Sequence, residues 1–325
     1  MPTRLRIEGD RGPRGRFAAA VAAVAVTCTV AQGAQAPAAD PAAAIAAAQK
    51  AADEAYLKAP MSPFTAVAVQ YFLPGQSYRL GIGPSGVEFG AAPRGGDVVE
   101  LTLDRDAFVV TPVKGARPAL AKSAGEGDVS RARTPIAEKT RLARGEVVLL
   151  NRHLVEFNVS PDNGNARVFD PESAARKAFT GLKWYPPNPA LQVKARFDPN
   201  PSPSRVTIIT SRGLQREYFR VGAFEFAIEG RPLRLTALAV GPTLKDGDEL
   251  FVAFRDGTTG AETYDVGRYL FVPFAGADAK YVLDFNKASN PLCNYSPHYN
   301  CPIPLKENQL PVAIRAGEMK YPPHD

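Results

Sequence analysis

The chain has 325 residues, of which 45% are hydrophobic and 22% charged, with 30 prolines and 27 glycines. This length leaves room for two domains with their own cores, and the composition is that of a soluble globular protein. The formal net charge is +6, but five arginines against Glu8 and Asp10 place +3 of it in the first 36 residues and leave +3 for the remainder. Because nucleic acid and anionic membranes require a dense basic patch, this near-neutral remainder argues against both as partners.

The N-terminus has the order of a Sec-type signal peptide, which we place at residues 1–36. Residues 1–16 are arginine-rich, residues 17–31 read FAAAVAAVAVTCTVA, and small residues follow as far as Ala36. The apolar run is too short and too rich in alanine for a comfortable membrane span, which needs about 20 strongly apolar residues. We therefore predict a periplasmic or secreted protein with no stable membrane span after signal cleavage. Retention of the segment as a signal anchor is the alternative.

After residue 36 the composition changes twice. Residues 37–60 are alanine-rich with alternating charges near their end, which is typical of a tether or a loosely packed helix. From Phe64 onward the apolar residues mostly alternate with polar ones, which is the pattern of strands with one buried face. The strand candidates are 98–103, 146–150, 154–159, 205–210, 250–254 and 268–274.

The clearest strand pair is an antiparallel hairpin over 224–237. Phe224, Phe226 and Ile228 alternate with polar or small residues, and Gly230 and Pro232 turn the chain into a second alternating run. This pattern predicts that one face of the hairpin packs on a core.

One segment predicts a helix, residues 171–179, with Asp170 as its N-cap. Because many short strands come with too few helices for parallel crossovers, the sequence predicts an all-β, mainly antiparallel fold with few short helices. We expect two β-sandwich or partly open barrel domains. The N-terminal domain is placed at 61–170 and the C-terminal domain at 171–325.

Motifs for cofactors, metals and nucleophiles are weak or missing. Residues 81–86 match the dinucleotide pattern G-x-G-x-x-G, but strand-forming residues follow instead of a helix, so the segment predicts a glycine-rich hairpin. Neither Ser85 nor Ser211 has the glycines of a nucleophile elbow. The three histidines, at 153, 298 and 324, offer little material for a catalytic triad or a zinc site. We predict no cofactor and no metal, and we assign no catalytic residue.

Two cysteines, Cys293 and Cys301, remain once the signal peptide is removed. An even pair in a chain bound for an oxidising compartment predicts a disulfide. On the chain-entropy model, closing this loop stabilises the fold by roughly 2.5 kcal/mol. A metal site with His298 and a reactive thiolate beside His298 are the alternatives.

Two blocks in the C-terminal half match a known pattern densely. Residues 250–270 read LFVAFRDGTTGAETYDVGRYL, and residues 283–318 read LDFNKASNPLCNYSPHYNCPIPLKENQLPVAIRAGE. They resemble an uncharacterised bacterial family, domain of unknown function 1684 (DUF1684), and the upstream residues extend the resemblance to about 179–318. The sequence departs from the family at Ser289, where an aromatic residue is usual, and at Leu305, where proline is common. The resemblance implies no activity and carries no catalytic residue over.

Hydrogen-bonding side chains crowd the irregular part of these blocks. Asp256, Thr258 and Gly260 predict a turn, with a strand resuming at 262–264. The other polar groups either satisfy buried backbone groups of a loop that crosses the sheet, or line a pocket in which Arg268 faces an anionic ligand group. The predicted ligand-binding set is Tyr264, Arg268, Asp284, Asn286, Tyr295, Glu307 and Asn308.

The favoured hypothesis is an exported protein whose C-terminal domain binds a small polar or anionic ligand. One alternative is a hydrolase that uses Asp284, Glu307 or Glu262 as general acid or base, with Asp265 as a further carboxylate in the same blocks. The other alternative is a structural envelope or interaction module.

Overall fold

The computed structural model of the chain describes residues 40–322 except 84, 85, 95, 114, 126 and 161. The predicted signal peptide, residues 1–36, and the candidate residues Ser85 and His324 lie outside the described residues. The described residues belong to one compact unit. None of their helices is both long enough and apolar enough to cross a membrane.

Antiparallel strands dominate this part of the chain. Helix α1 spans Pro41–Lys58 and helix α2 spans Ala174–Lys177. The strands of the first half are β1 (Ala66–Phe72), β2 (Ser77–Gly83), β3 (Gly86–Gly90), β4 (Asp97–Asp104), β5 (Ala107–Pro112), β6 (Ala119–Gly125), β7 (Asp128–Val129), β8 (Thr134–Pro135), β9 (Thr140–Arg141), β10 (Glu146–Leu150), β11 (His153–Ser160) and β12 (Asn163–Phe169). The strands of the second half are β13 (Gln192–Ile209), β14 (Gln215–Ile228), β15 (Arg231–Ala239), β16 (Glu249–Phe254), β17 (Arg268–Pro273) and β18 (Tyr281–Asp284). The prediction of an all-β, mainly antiparallel fold is confirmed.

The first half is a sandwich of two sheets. One sheet has the order β1-β12-β11-β10-β6-β7, with β8 beside β6, and the other has the order β3-β2-β4-β5-β9. Alternate residues of both sheets meet in one apolar core, which includes Phe72, Leu101, Phe108 and Val155. Burying these side chains is the main source of stability here, at about 25 cal/mol per Å² of apolar surface.

The second half is a third sheet with the order β17-β16-β15-β14-β13-β18. Its two longest strands lose register with each other between Pro199 and Ser204, where β13 bulges away from β14. One face of the sheet buries Phe197, Phe224 and Leu235. No further sheet of the described residues covers that face, and irregular chain after β18 contributes Phe285, Leu310 and Ile314 to the core instead.

A third apolar core joins the two halves. Leu154 of the sandwich packs in one cluster with Leu238 and Phe251 of the third sheet. Strands on either side of residue 170 nevertheless pair only within their own half among the described residues. The predicted boundary between 170 and 171 therefore coincides with a change of sheet, while the division into two domains stays a prediction.

The predicted hairpin is present, and Pro232, which was expected in the turn, lies in β15 opposite Ala227. Phe226 pairs with Leu233 and Ile228 with Arg231. Both turn residues, Glu229 and Gly230, adopt left-handed φ angles of 50° and 74°. Two such residues in succession give the twist that a two-residue hairpin needs.

The predicted helix at 171–179 is reduced to one turn. Helix α2 begins after Ser173, whose hydroxyl accepts from the backbone N–H of Arg176 at 3.2 Å. Asp170 is not the N-cap of α2. The Asp170 carboxylate instead accepts from the N–H of Glu172 at 2.9 Å and so caps the turn before the helix. Serine competes well for the capping position, so the start of the helix moves three residues along the chain.

Most of the predicted tether, 37–60, is an ordered helix. Its alanines favour helix strongly, and Asp40 caps its start. Ile45 is buried, and Asp53 accepts from the indole N–H of Trp184 at 2.9 Å. Helix α1 is therefore docked on the second half of the chain.

Candidate functional site

Irregular chain after β18, residues 285–319, is called the crossing segment below. It contains three short 3-10 turns, Phe285–Lys287, Leu292–Asn294 and Lys306–Asn308. Chain of this kind has no sheet ladder to satisfy its backbone N–H and C=O groups, so side chains must do so. Three of the seven predicted site residues, Tyr264, Arg268 and Asp284, bond to backbone groups of this segment.

Arg268, at the start of β17, is only 1% exposed. Its guanidinium forms an ion pair with Asp256 at 3.1 Å and donates to the carbonyls of Ile314, at 2.7 Å, and Ala316. The Asp256 carboxylate also accepts from the N–H of Ile314 at 2.6 Å. In the structure the charge of Arg268 is used inside the protein to hold the crossing segment, and its contact with an anionic ligand stays a prediction.

The predicted turn at Asp256 is present, and the strand after it is not. Thr258 donates its hydroxyl to the Asp256 carboxylate at 2.8 Å and lies 3.0 Å from the Thr263 hydroxyl. Thr263 makes one isolated bridge with Thr259, and the chain turns again before β17. This hydroxyl network orients the carboxylate that Arg268 needs.

Asn286 and Asn308 substitute for missing backbone partners. The Asn286 amide accepts from the N–H of Asn188 at 2.8 Å and donates to the carbonyl of the same residue at 2.9 Å. The Asn308 amide likewise accepts from the N–H of Thr236 in β15 at 2.8 Å and donates to the carbonyl of Thr236 at 2.9 Å. Both amides are buried, at 3% and 1% exposure. Asn286 connects its segment to the loop at Asn188, and Asn308 connects its segment to β15.

The side chains beside these two asparagines lie nearer the surface. Asp284 accepts from the N–H of Asn286 at 3.1 Å and from the Gln192 amide at the same distance. Glu307 is exposed and accepts from Nε and Nη2 of Arg220 at 3.2 and 3.1 Å. Of the predicted set, Glu307 is thus the residue that meets an exposed arginine.

Tyr295 belongs to a buried acid pair that the sequence interpretation did not assign. Its hydroxyl donates to Glu318, which also accepts from the N–H of Asn290 at 2.7 Å. Burial raises the pKa of Glu318 to about 7, and the hydrogen bonds from Tyr295 and Asn290 only partly oppose that rise. The signal in the sequence was the closing A-G-E of the second block.

Tyr264 lies apart from these groups, beside the cysteines. Its hydroxyl donates to the carbonyl of Cys293 at 3.3 Å. The N–H of Cys293 lies 3.2 Å from the sulfur of Cys301, and no disulfide joins the two residues in the structure. A hydrogen bond from the Cys301 thiol lowers the pKa of Cys293 to about 7, although burial opposes the shift. The pair is adjacent, and the disulfide stays a prediction.

The carboxylates proposed for acid or base catalysis do not converge on one point. Glu262 is held by Arg315 at 2.7 Å and by the hydroxyl of Tyr185 at 3.0 Å, and the Arg315 hydrogen bonds lower its pKa. Asp265 pairs with Lys320 at 2.7 Å. Among the described residues no group of three or more His, Cys, Asp and Glu side chains could hold a metal ion.

A cleft of about 310 Å³ opens where β13 bulges from β14, and it is called the arginine cleft below. Its polar lining is Asp198, Asn200, Arg220, Arg234 and Thr236. Sequence reasoning missed it because these arginines occupy the exposed positions of alternating strands. The three prolines between 199 and 203 were the available signal, since proline within a strand marks a bulge.

Glycine is required at the base of the arginine cleft. A Cβ atom on Gly222 would lie 2.4 Å from Cζ of Phe197 and 2.6 Å from the carbonyl oxygen of Asp198. Above it, Arg220 is held by Glu307, and Arg234 is held by Asp198 at 2.9 Å. The side chains of the two arginines are 37% and 54% exposed, so they present oriented guanidinium groups to solvent.

Comparison with known proteins agrees with the pattern in the two blocks. A family model described as "Protein of unknown function (DUF1684)" matches residues 177–319. A solution NMR structure of an uncharacterized protein from Haloarcula marismortui is 34% identical, with 45% of this chain and 79% of that chain covered and a TM-score of 0.38. The likeness therefore rests on sequence. No curated protein matches the chain.

Replacing Arg268 distinguishes a scaffold from a ligand contact. We expect Arg268→Met to lower the free energy of unfolding by about 3–5 kcal/mol, because it leaves the Asp256 carboxylate buried without its cation. Adding Asp256→Asn should recover part of the loss. Arg205→Met, which breaks an exposed pair with Glu217, should cost less than about 0.5 kcal/mol. Urea denaturation measures all four proteins, and parental stability of Arg268→Met would contradict the assignment.

Glu318 should make stability depend on pH. Its pKa is about 7 in the folded protein against an ordinary value of 4.5, so the folded protein holds a proton that the unfolded chain has lost. The free energy of unfolding should therefore fall by about 3 kcal/mol as the pH rises from 4.5 through 7. Glu318→Gln has no proton to lose there, and its stability should fall less. Urea denaturation at pH 5 and pH 8 tests this, and parallel profiles for the two proteins would refute it.

Proposed function

The chain belongs to the DUF1684 family, described only as proteins of unknown function, and we propose that it is an exported protein that binds a small polar or anionic ligand in the arginine cleft. The observation that carries this proposal is that Arg220 and Arg234 line the same concavity. Both lie within residues 177–319, which match the family model and are called the family region below. A guanidinium is a planar fork of donors that matches carboxylate and phosphate oxygens in pairs.

The arginines are oriented before any ligand arrives. Glu307 holds Arg220, while Arg234 is held by Asp198 and by Glu225 at 2.6 Å. Since these side chains are already ordered, binding costs less conformational entropy than ordering two mobile arginines would. The same carboxylates balance the positive charge, which favours a polar molecule with one anionic group over a highly charged polyanion.

Glu307 gives the cleft an internal competitor. Its carboxylate occupies two donors of Arg220, so an anionic ligand group must displace it or share the guanidinium with it. Removing the charge of Glu307 should therefore strengthen anion binding. A cleft that served only as a surface salt-bridge network would show no such response.

Export is the second part of the proposal. The arginine-rich, apolar and small-residue order of residues 1–36 supports it, and the adjacent Cys293 and Cys301 are suited to an oxidising compartment. A thiol with a pKa of about 7 is substantially ionised at neutral pH and attacks oxidants readily. We propose that the two thiols become a disulfide after export, with loss of two hydrogens to the compartment's thiol oxidase system.

Calorimetric titration tests the ligand site. We expect D-gluconate or D-glucuronate to bind the protein, neutral glucose to bind more weakly, and Arg220→Ala or Arg234→Ala to weaken anion binding at least about tenfold. Glu307→Gln should tighten it. The matched control is Arg205→Ala, which removes an exposed arginine of β13 outside the cleft. Equal losses in the control and cleft variants, or no binding of either anion, would reject the site.

Intact mass tests export and oxidation together. The full chain, expressed with its own N-terminus in a Gram-negative host, should be recovered from the periplasm without its first 31 to 36 residues and with two hydrogens fewer than the dithiol form. Cys301→Ser should retain the full hydrogen count. Recovery of the uncleaved chain in the cytosol would contradict export, and a processed dithiol would contradict the disulfide alone.

A further inference from the structure

Another cleft, of about 680 Å³, lies in the first half of the chain, outside the family region. It opens at one end of the sandwich, where the start of β1, the end of β2, the start of β3, the start of β4 and the β10–β11 turn meet. Its volume falls within the range of about 300–1,000 Å³ that small-molecule sites occupy. Neither the family match nor the proposed function accounts for it.

Three consecutive residues of the β10–β11 turn line one wall. Asn151 adopts a left-handed φ of 56°, and its amide donates to Asp97 Oδ2 at 2.6 Å. Arg152 donates Nε and Nη2 to the two oxygens of Asp170, both at 2.7 Å. These bonds leave Asp97 Oδ1 and Arg152 Nη1 without a partner among the described residues. The cleft thus contains one anionic acceptor, on Asp97, and one cationic donor, on Arg152.

The other charges at this wall are settled within the protein. The hydrogen bond from Arg152 lowers the pKa of Asp170 to about 2, so this carboxylate stays ionised and oriented. His153 is only 8% exposed, and burial lowers its pKa, so it is neutral at physiological pH. Its Nε2 lies 3.6 Å from Asp170 Oδ2. The hydrogen-bonding groups that remain for a ligand are Nη1 of Arg152, whose charge is paired with Asp170, and Oδ1 of Asp97.

The opposite wall is apolar. Val67, Ile82 and Val87 contribute its side chains, and the backbone of Gly83 and Gly86 lies between them. Val67 stands where β1 loses register with β12, between Ala66 and Ala68. A bulge of this kind changes the direction of one side chain, and here the side chain of Val67 lines the cleft.

We propose that this cleft binds a free α-amino acid with an apolar side chain. The carboxylate of the amino acid bonds to Arg152, its ammonium bonds to Asp97, and its side chain packs on Val67, Ile82 and Val87. A ligand with a carboxylate alone would meet Asp97 and Asp170 without compensation. A ligand with an amine alone would leave the Arg152 donor unused, so the zwitterion satisfies both charges.

Calorimetry with the full protein tests this with L-leucine and L-phenylalanine as probes. We expect both to bind, and we expect 3-phenylpropionate and 2-phenylethylamine, each of which lacks one charge of phenylalanine, to bind at least about tenfold more weakly. Asp97→Asn keeps an acceptor for Asn151 and should weaken the binding of L-phenylalanine by a similar factor. Arg152→Gln should weaken that binding as well. The melting temperature of the Arg152→Gln variant is measured alongside, because Asp170 loses a partner in it.

The matched control is Arg141→Gln, which breaks the exposed pairs with Asp104 and Asp106 at the far end of β4. That end lies about 23 Å from Asp97 at 3.3 Å per residue, so amino acid binding should be unchanged. Arg220→Ala should also leave it unchanged, which separates this site from the arginine cleft. The proposal is overturned if neither amino acid binds at millimolar concentration, or if 2-phenylethylamine binds as tightly as L-phenylalanine. Equal weakening by Arg141→Gln would overturn it too.

Discussion

The buried ion pair of Arg268 and Asp256 fixes the path of the crossing segment. A guanidinium with 1% exposure needs its charge paired, since taking it out of water costs several kcal/mol. The carbonyls of Ile314 and Ala316 accept from its two terminal nitrogens, and they belong to chain that has no ladder of its own. Its Nε is buried without a hydrogen-bond partner among the described residues, so the ion pair and the terminal nitrogens hold the loop. The apolar core beneath the crossing segment depends on these hydrogen bonds, because Ile314 and Ala316 also belong to that core.

Sequence pattern predicted the strands well because alternation records which face of a strand is buried. The hairpin over 224–237 could be inferred from apolar spacing and the glycine at its turn, whereas its exact turn residues could not. The ends of elements were harder, as at α2, where Ser173 and Asp170 were both capable caps and only tertiary position decided between them. Helix α1 was hard for a different reason. Its alanines give it little amphipathic pattern, and its docking depends on single contacts such as that of Asp53.

The polar residues of the two blocks could be picked out from the sequence as a group, and the hydrogen-bond partner of each could not. An asparagine amide presents the same donor and acceptor to a backbone peptide as to a ligand. The residue type alone therefore does not tell whether Asn308 bonds to the protein backbone or to a ligand. Burial separates the two roles, and burial depends on residues far away in sequence, such as Thr236. The reverse holds for Arg220 and Arg234. Their positions have the pattern of a solvated strand face, and only the bulge brings them to one concavity.

Both clefts lie where a strand loses register, at Val67 in β1 and between Pro199 and Ser204 in β13. A regular sheet packed on a core leaves no room for a ligand, whereas a bulge bends the strand and turns side chains out of the pleat. In each cleft the arginine is held by a carboxylate of another strand or loop, Asp170 for Arg152 and Glu307 for Arg220. The sheet defects thus supply the concavity, and the ion pairs supply its fixed donors.

The first half of the chain also completes the environment of the family region. Tyr56 of α1 and Phe64 pack on the ring of Tyr295, with centroids 5.7 and 5.4 Å away, and Arg167 of β12 lies 4.0 Å from the ring centroid of Tyr299. Because burial is what raises the pKa of Glu318, part of the cause lies outside the family region, in the docking of α1. Protonation of Glu318 and docking of the helix therefore favour one another, and ionisation of this carboxyl must weaken the contact that covers it.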